Sequence, residues 1–241
     1  MRRSRWLFGA LVASQVLYSR LPEARLVGAT RAIVGLLLGA SVSEAAEARG
    51  ARGIAGVAAA GTIGMAAEQL GVRTGKPFGH YTYSDKLGLK VGGVPVLAAA
   101  AWAMMARPSW VVAGHVTPAP AARVVVAAGA LTAWDVFLDP RMARDGYWSW
   151  PGGGRYEGVP ASNFAGWFVT GLPVFAIFAL LDRAAPDARD DGALALYAWT
   201  WIGETFANAV LWHQPVTAAA GAAAMGAVAA PALRRRMSLG S

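Results

Sequence analysis

Two long stretches of the chain, 158–181 and 205–233, contain no Asp, Glu, Lys or Arg. A bilayer crossing needs about 20 predominantly apolar residues, so each stretch is long enough to span one. Both are apolar on all faces, whereas an amphipathic helix of a soluble protein keeps a polar stripe. The 241 residues are 56% hydrophobic and 15% charged, with a mean hydropathy of +0.40. The pattern predicts an all-α, polytopic integral membrane helix bundle.

Hydropathy along the chain predicts seven or eight transmembrane helices in a single membrane-embedded domain, 1–241. The predicted spans are 6–19, 26–43, 53–70, 91–106, 119–138, 162–181, 193–211 and 215–232. Basic residues precede the first span as in a signal peptide, but 19–23 lack a small-residue cleavage site, so a retained helix is expected. Basic residues divide almost evenly between the two sides and leave the orientation open. A multi-pass protein of the cell membrane is expected.

The formal net charge of +8 arises from basic residues in short connectors and at the termini. This placement indicates contact with lipid headgroups and no nucleic-acid partner. The chain has no cysteine, and its three histidines are never three or four residues apart, unlike the ligands of a membrane di-iron oxygenase. The glycines at 152–154 lack the spacing of a dinucleotide-binding loop. We therefore expect no metal and no cofactor.

Ionisable side chains inside a span cost at least about 2.5 to 3.5 kcal/mol and need a reason to be there. Asp135 and Asp139 are four residues apart, so they share one helix face, and Pro140 predicts that the helix ends beside them. Close carboxyl groups in an apolar setting give one protonated acid beside one carboxylate, which suits general acid–base catalysis. The alternative is that Arg141 or Arg144 pairs with them at the helix end.

Two further acidic residues are candidates for catalysis. Glu204 belongs to a helical stripe that also contains Trp201, Asn208 and Trp212, and such a stripe faces protein or a cavity. Glu68 ends a helix rich in small residues, 53–67. For Glu204 the alternative is a packing role, and for Glu68 it is a side chain that reaches the headgroup region.

The two longest connectors, 71–90 and 139–161, combine aromatic residues with Gly and Pro. This composition predicts ordered loops at the membrane surface. They form either an aromatic belt at headgroup depth or a lid over an entrance for an apolar substrate. The candidate substrate-binding residues lie in these loops and in the spans beside them: Phe78, Tyr81, Tyr83, Trp134, Tyr147, Trp148, Trp150, Asn163 and Trp167.

Several groups of residues within about 60–215 resemble the CruF-like carotenoid biosynthesis protein family. They are WDVFLDPRM at 134–142, GYWSW at 146–150, GRYEGVP at 154–160, NFAGW at 163–167 and, earlier, PFGHYTY at 77–83, with Leu87-Gly88 and Val94-Pro95. This composite motif is far more specific than any of its parts. The first 50 residues and the basic C-terminus add nothing to it.

The resemblance implies a hydratase that adds water to the terminal double bond of an acyclic carotenoid and forms a tertiary alcohol. It implies a carotenoid substrate, a lipid bilayer and association with other enzymes of the pathway. A protonated Asp135 or Asp139 would supply the proton, and its partner would orient water. Indole faces would stabilise the tertiary cation by cation–π contact. No redox cofactor is required.

Three other functions fit the same residues. A carotenoid cyclase would use the same acid and aromatic groups but exclude water. A polyprenyl transferase would bind Mg²⁺ through Asp135 and Asp139, although position 131 is Leu where that motif expects Asn, and Asp190-Asp191 stands alone. A non-catalytic carotenoid-binding protein would use the aromatics for packing and the carboxylates for ion pairs.

Overall fold

The computed structural model describes residues 3–239, which contain seven α-helices and four very short strands. The helices are α1 Arg3–Tyr18, α2 Glu23–Thr74, α3 Val96–Val116, α4 Pro120–Arg144, α5 Ala161–Leu181, α6 Asp191–Phe206 and α7 Pro215–Ser238. The strands are β1 Thr82–Tyr83, β2 Lys90–Val91, β3 Val94–Pro95 and β4 Trp148–Ser149. The predicted all-α membrane bundle is confirmed.

Five of these helices, α2, α3, α4, α5 and α7, are long and apolar enough to cross a membrane. Helices α1 and α6 have 16 residues each. A π-helical segment, Ala207–Leu211, extends α6 and completes the predicted span 193–211. The span predicted at 91–106 is displaced, because residues up to Pro95 form the β2–β3 hairpin and the helix runs from Val96 to Val116.

Helix α2 contains the two predicted spans 26–43 and 53–70, which meet at a kink at Gly50. The backbone there has φ 59° and ψ −140°, a conformation that glycine adopts without a Cβ clash. Arg31 from the first half donates to the Lys86 carbonyl at 2.8 Å, and Gln69 from the second half donates to the Val91 carbonyl at 3.1 Å. Both ends of α2 therefore reach the same loop, and the two halves form a helical hairpin.

Helix α4 does not end at Pro140 as predicted but continues to Arg144. Proline lacks the N–H that would bond the carbonyl of Val136, four residues earlier. The hydroxyl of Tyr156 donates to that carbonyl at 3.0 Å and replaces the missing donor. The helix thus passes the proline, and Asp139 lies inside it.

A buried ionic network lies near the kink of α2, around Arg107 in the middle of α3. The Arg107 side chain, 1% exposed, donates to Glu44 at 3.1 Å, to Asp182 at 2.7 Å and to Asp190. Arg49, beside the kink of α2, also pairs with Asp182 at 3.0 Å and with Asp190 at 2.5 Å. The network connects α2, α3 and the segment between α5 and α6, so it stabilises their packing.

Candidate active site

Glu68 is buried near the C-terminal end of α2 and accepts hydrogen bonds from three aromatic side chains. Tyr81 and Tyr83 donate to one carboxylate oxygen at 2.5 and 2.8 Å, and the indole N–H of Trp102 donates to the other at 3.1 Å. Burial, followed by the charge of Glu68, raises the pKa of both tyrosines, so both hydroxyls remain donors. The headgroup-facing alternative for Glu68 is therefore wrong.

Asp135 and Asp139 lie side by side in α4, as their spacing predicts. They are 0% and 3% exposed, and the side-chain amide of Asn163 in α5 donates to both, at 2.9 Å for Asp135. Two buried carboxyl groups this close are positioned to share one proton, because two adjacent buried charges are costly. Oδ1 of Asp135 accepts no hydrogen bond from a donor among residues 3–239. The pair is therefore arranged to carry a proton, and one of its oxygens is not bound by Asn163.

The arginines that were alternative partners for this pair are bound elsewhere. Arg141 pairs with Asp145 at 2.9 Å, and Arg144 pairs with Glu157 at 2.7 Å. The alternative in which these arginines pair with Asp135 or Asp139 at the helix end is therefore wrong. The two aspartates are instead hydrogen-bonded to Asn163, so neither arginine neutralises their charge.

A cavity of about 20 Å³ lies between Glu68 and Asp139. A space of about 10 to 15 Å³ is the minimum for one water molecule, so this cavity has room for one water but not for a hydrocarbon end. Most of the remaining lining is aromatic or apolar: Phe78, Tyr81, Tyr83, Ala98, Ala101, Leu138, Trp148, Trp150, Asn163 and Trp167. The structure therefore places seven of the nine predicted substrate-binding residues around one small space.

The two aromatic loops close over this space as a cap. Strands β1 and β4 pair antiparallel, with Thr82 opposite Ser149 and Tyr83 opposite Trp148. The indole N–H of Trp150 donates to the Phe78 carbonyl at 3.1 Å and binds the loops together. Most of the aromatic rings in the cap are buried, so they pack against the protein and cover the small cavity.

Trp102 completes the cluster from α3. Its ring stacks on Trp167 at 4.0 Å between centroids, and Trp134 meets Trp167 edge to face at 6.1 Å. This position requires close approach of α2, where a Cβ at Gly64 would lie 2.2 Å from Cγ of Trp102. Gly64 therefore permits the contact that lets Trp102 reach Glu68.

Substitution of Gly64 by Ala is expected to displace Trp102 and destabilise the protein by about 1 to 3 kcal/mol, the usual cost of overpacking. Thermal unfolding of the purified protein measures this change. Gly35, in the same helix, has no atom within 4 Å of an added Cβ and is the matched control. Gly35→Ala should unfold at or above the wild-type temperature, because alanine favours helix over glycine. Equal stability of Gly64→Ala and Gly35→Ala would contradict the assigned packing.

Two predicted site residues, Glu204 and Tyr147, do not line the small cavity. Glu204 lies outside the carboxyl cluster and lines a second, larger cavity, where Asn208 donates to its carboxylate at 3.3 Å. Trp201, predicted on the same stripe, instead donates to the Ala222 carbonyl of α7 at 2.9 Å. The Tyr147 carbonyl accepts hydrogen bonds from Ser84 at 2.9 and 3.1 Å, so this residue supports the cap.

Comparison with known proteins decides the family. The family model described as "Carotenoid biosynthesis protein" matches residues 6–229. The chain belongs to this family. It is also similar to the bisanhydrobacterioruberin hydratase of Haloarcula japonica, with 27% identity over 155 residues. The match covers 58% of this chain and spans about half of that relative, 53% of its length. No solved structure matches the chain.

Membership of the carotenoid biosynthesis protein family assigns the chain to that pathway and confirms the resemblance found in its motifs. The match extends beyond 60–215 and includes most of the N-terminal helices. Sequence reasoning missed Trp102, because one tryptophan in an apolar span carries no polar signal. The glycine at 64 and the indole at 102 become informative only when α2 and α3 pack together.

Proposed function

We propose that the chain hydrates the terminal double bond of an acyclic carotenoid and forms a tertiary alcohol. The observation that carries the proposal is the buried pair formed by Asp135 and Asp139, of which Asp139 lines a water-sized cavity beneath an aromatic cap. The hydratase named in Haloarcula japonica supports the same reaction class. The substrate would be a carotenoid dissolved in the bilayer, and the enzyme would lie in the cell membrane.

The reaction needs a proton, a transient tertiary cation and water. A carboxyl proton from the aspartate pair would add to the CH carbon of the isopropylidene end, leaving the positive charge on the dimethyl carbon. Water would then attack that carbon and return a proton to the aspartate pair. The net change is the addition of one water, and the acid is regenerated without an oxidant or reductant.

Hydrogen bonding separates the roles of the three carboxyl groups. Both oxygens of Glu68 already accept hydrogen bonds, so Glu68 would act as a fixed negative charge near the cation. The aspartate pair is arranged to carry a proton, and Oδ1 of Asp135 is not bound by Asn163, which suits proton transfer. Faces of Trp148, Trp150 or Trp167 would stabilise the cation by about 2 kcal/mol in a dry site.

The metal-dependent transferase alternative gains no support from the site. Asp190 belongs to the buried ionic network, and Asp191 pairs with Arg236 on the surface at 2.6 Å. Both lie at the other end of the bundle from Asp135. Among residues 3–239, no three His, Cys, Asp or Glu side chains converge as a metal site.

Expression in cells that make lycopene tests the reaction directly. The expected product is the substrate plus one water, detected by mass spectrometry of the extracted pigments. An isomer of unchanged mass would assign the chain to cyclisation, and the gain of a prenyl unit would assign it to transfer. Either product would overturn the proposal. Cells carrying the empty vector provide the background.

A further inference from the structure

A second cavity, of about 330 Å³, lies along a neighbouring face of α4 from the carboxyl cluster. Cavities that hold organic ligands begin at about this size. Its walls come from α1, the first half of α2, α4 and α6, and most of them are apolar, including Val16, Val34, Leu37, Phe137 and Phe206. None of Glu68, Asp135 and Asp139 lines this cavity.

Polar groups gather in one part of the cavity. The Arg141 guanidinium stacks on Trp212 at 3.9 Å and pairs with Asp145, and Glu204 lies on the same wall as Trp212. These residues are close to the end of α4 at Arg144, on the side of the bundle where the aromatic loops lie. Other polar residues also line the cavity, and the remaining lining is apolar. These polar residues are Gln15, Tyr18, Ser19, Arg20, Thr30 and Thr200.

Apolar residues at the edge of the cavity are exposed between α1 and α6, beside the hydrogen bond from Trp199 to Gln15 at 2.7 Å that joins these two helices. Val16 of α1 and Phe206 of α6 line the cavity and are each 56% exposed. Neighbouring apolar residues such as Leu17 and Ile202 are also exposed, at 51% and 57%. In a membrane protein this apolar surface meets acyl chains. A molecule dissolved in the bilayer therefore has an apolar route between α1 and α6.

The large cavity and the small cavity beside the carboxyl cluster share part of one wall. Leu138, half-buried in α4, lines both the 330 Å³ and the 20 Å³ cavities. Trp134 lines the large cavity and contacts Trp167, which lines the small one. The Leu138 side chain and the Trp134–Trp167 pair thus lie between the large cavity and the carboxyl cluster.

We propose that the large cavity is the binding channel for the acyclic polyene chain, which enters from the bilayer between α1 and α6. The inference rests on the proposed hydration, because it assigns the route to that reaction. The small cavity admits water but no isopropylidene group, so the substrate end reaches the aspartates from the large cavity, past the side chain of Leu138. The channel binds the chain, and the cluster performs the chemistry.

The binding claim is tested by lycopene retained per protein after purification from lycopene-making cells. Val34→Trp places an indole in the channel and is expected to lower retention by at least about 10-fold, a loss of about 1.4 kcal/mol. Val169 is 58% exposed on α5, so Val169→Trp is the matched control and should retain lycopene as the wild type does. Thermal unfolding checks that both variants are folded.

Retention and hydration separate this inference from the proposed function. Asp139→Asn should retain lycopene but form no alcohol, whereas folded Val34→Trp should lose both. Wild-type retention in Val34→Trp would overturn the channel and leave the hydratase standing. Release of phospholipid without lycopene in that variant would show that the cavity binds an acyl chain and would also overturn it. If Val34→Trp loses lycopene but no variant or wild type makes alcohol, the channel stands and hydration fails.

The route past Leu138 has its own test. Leu138→Trp is expected to keep lycopene in the channel while lowering alcohol formation by at least about 10-fold. Val169→Trp adds the same indole on the exposed face of α5 and is the control, which should form alcohol at the wild-type rate. Hydration by Leu138→Trp at the wild-type rate would overturn this route, because a larger side chain at that position would then be no obstacle.

Discussion

Replacement of Asp139 by Asn is expected to lower the rate of carotenoid hydration by about 10²- to 10⁴-fold, the usual contribution of a general acid. The amide keeps the size of the side chain and its contact with Asn163, but it cannot carry the shared acidic proton. Product formation from lycopene in membranes measures the effect. Asp85, whose side chain is 97% exposed, supplies the control Asp85→Asn, which should hydrate at the wild-type rate.

Asp135→Asn should fall in the same range, because the two aspartates share one proton. Residues that act as a unit show strongly non-additive effects. The double variant is therefore expected to be no slower than the slower single variant. Independent losses that multiply in the double variant would contradict a shared proton, and full activity of Asp139→Asn would contradict the assigned site.

Replacement of Arg107 by Leu is expected to cost about 3 to 5 kcal/mol of stability, as removal of one partner from a buried ion pair does. Glu44, Asp182 and Asp190 would each lose a charged donor while still buried. Thermal unfolding in detergent and the yield of folded protein measure the change. The cost exceeds that expected at Gly64, because unpaired buried charge is more expensive than a local clash.

The control for this variant is a surface ion pair. Arg236 and Asp191 are 27% and 48% exposed, and exposed pairs contribute about 0 to 1 kcal/mol. Arg236→Leu should therefore unfold close to the wild-type temperature. If Arg107→Leu and Arg236→Leu behave alike, the buried network does not stabilise the packing of the helices.

Local sequence patterns predicted the features that depend on local physics. Charge-free stretches identified the membrane helices, and the four-residue spacing identified the shared face of Asp135 and Asp139. The aromatic and glycine-rich composition of the loops indicated order. Strands β1 and β4 each have two residues and lie far apart in sequence, so no alternation of apolar and polar residues predicted their pairing. The sequence therefore predicted that the two loops are ordered, but it did not predict that they pair with each other to form the cap.

The features that sequence missed depend on contacts between distant residues. Helix α4 passes Pro140 because Tyr156, beyond the helix, supplies a donor. Arg31 lies inside an apolar span because its guanidinium donates to the Lys86 carbonyl, 55 residues away in sequence. Glu204 is acidic like Asp135 but lines the larger cavity. The polar stripe on its helix could not predict which cavity it faces.

The source of the added oxygen tests the central claim most directly. Purified protein is supplied with lycopene in water enriched in heavy oxygen. The mass of the product is measured by mass spectrometry and compared with that of the product from Asp139→Asn. We expect an alcohol that carries the heavy oxygen from the wild type and none above background from the variant. An alcohol with unlabelled oxygen, or an isomer without oxygen, would contradict hydration at the carboxyl cluster.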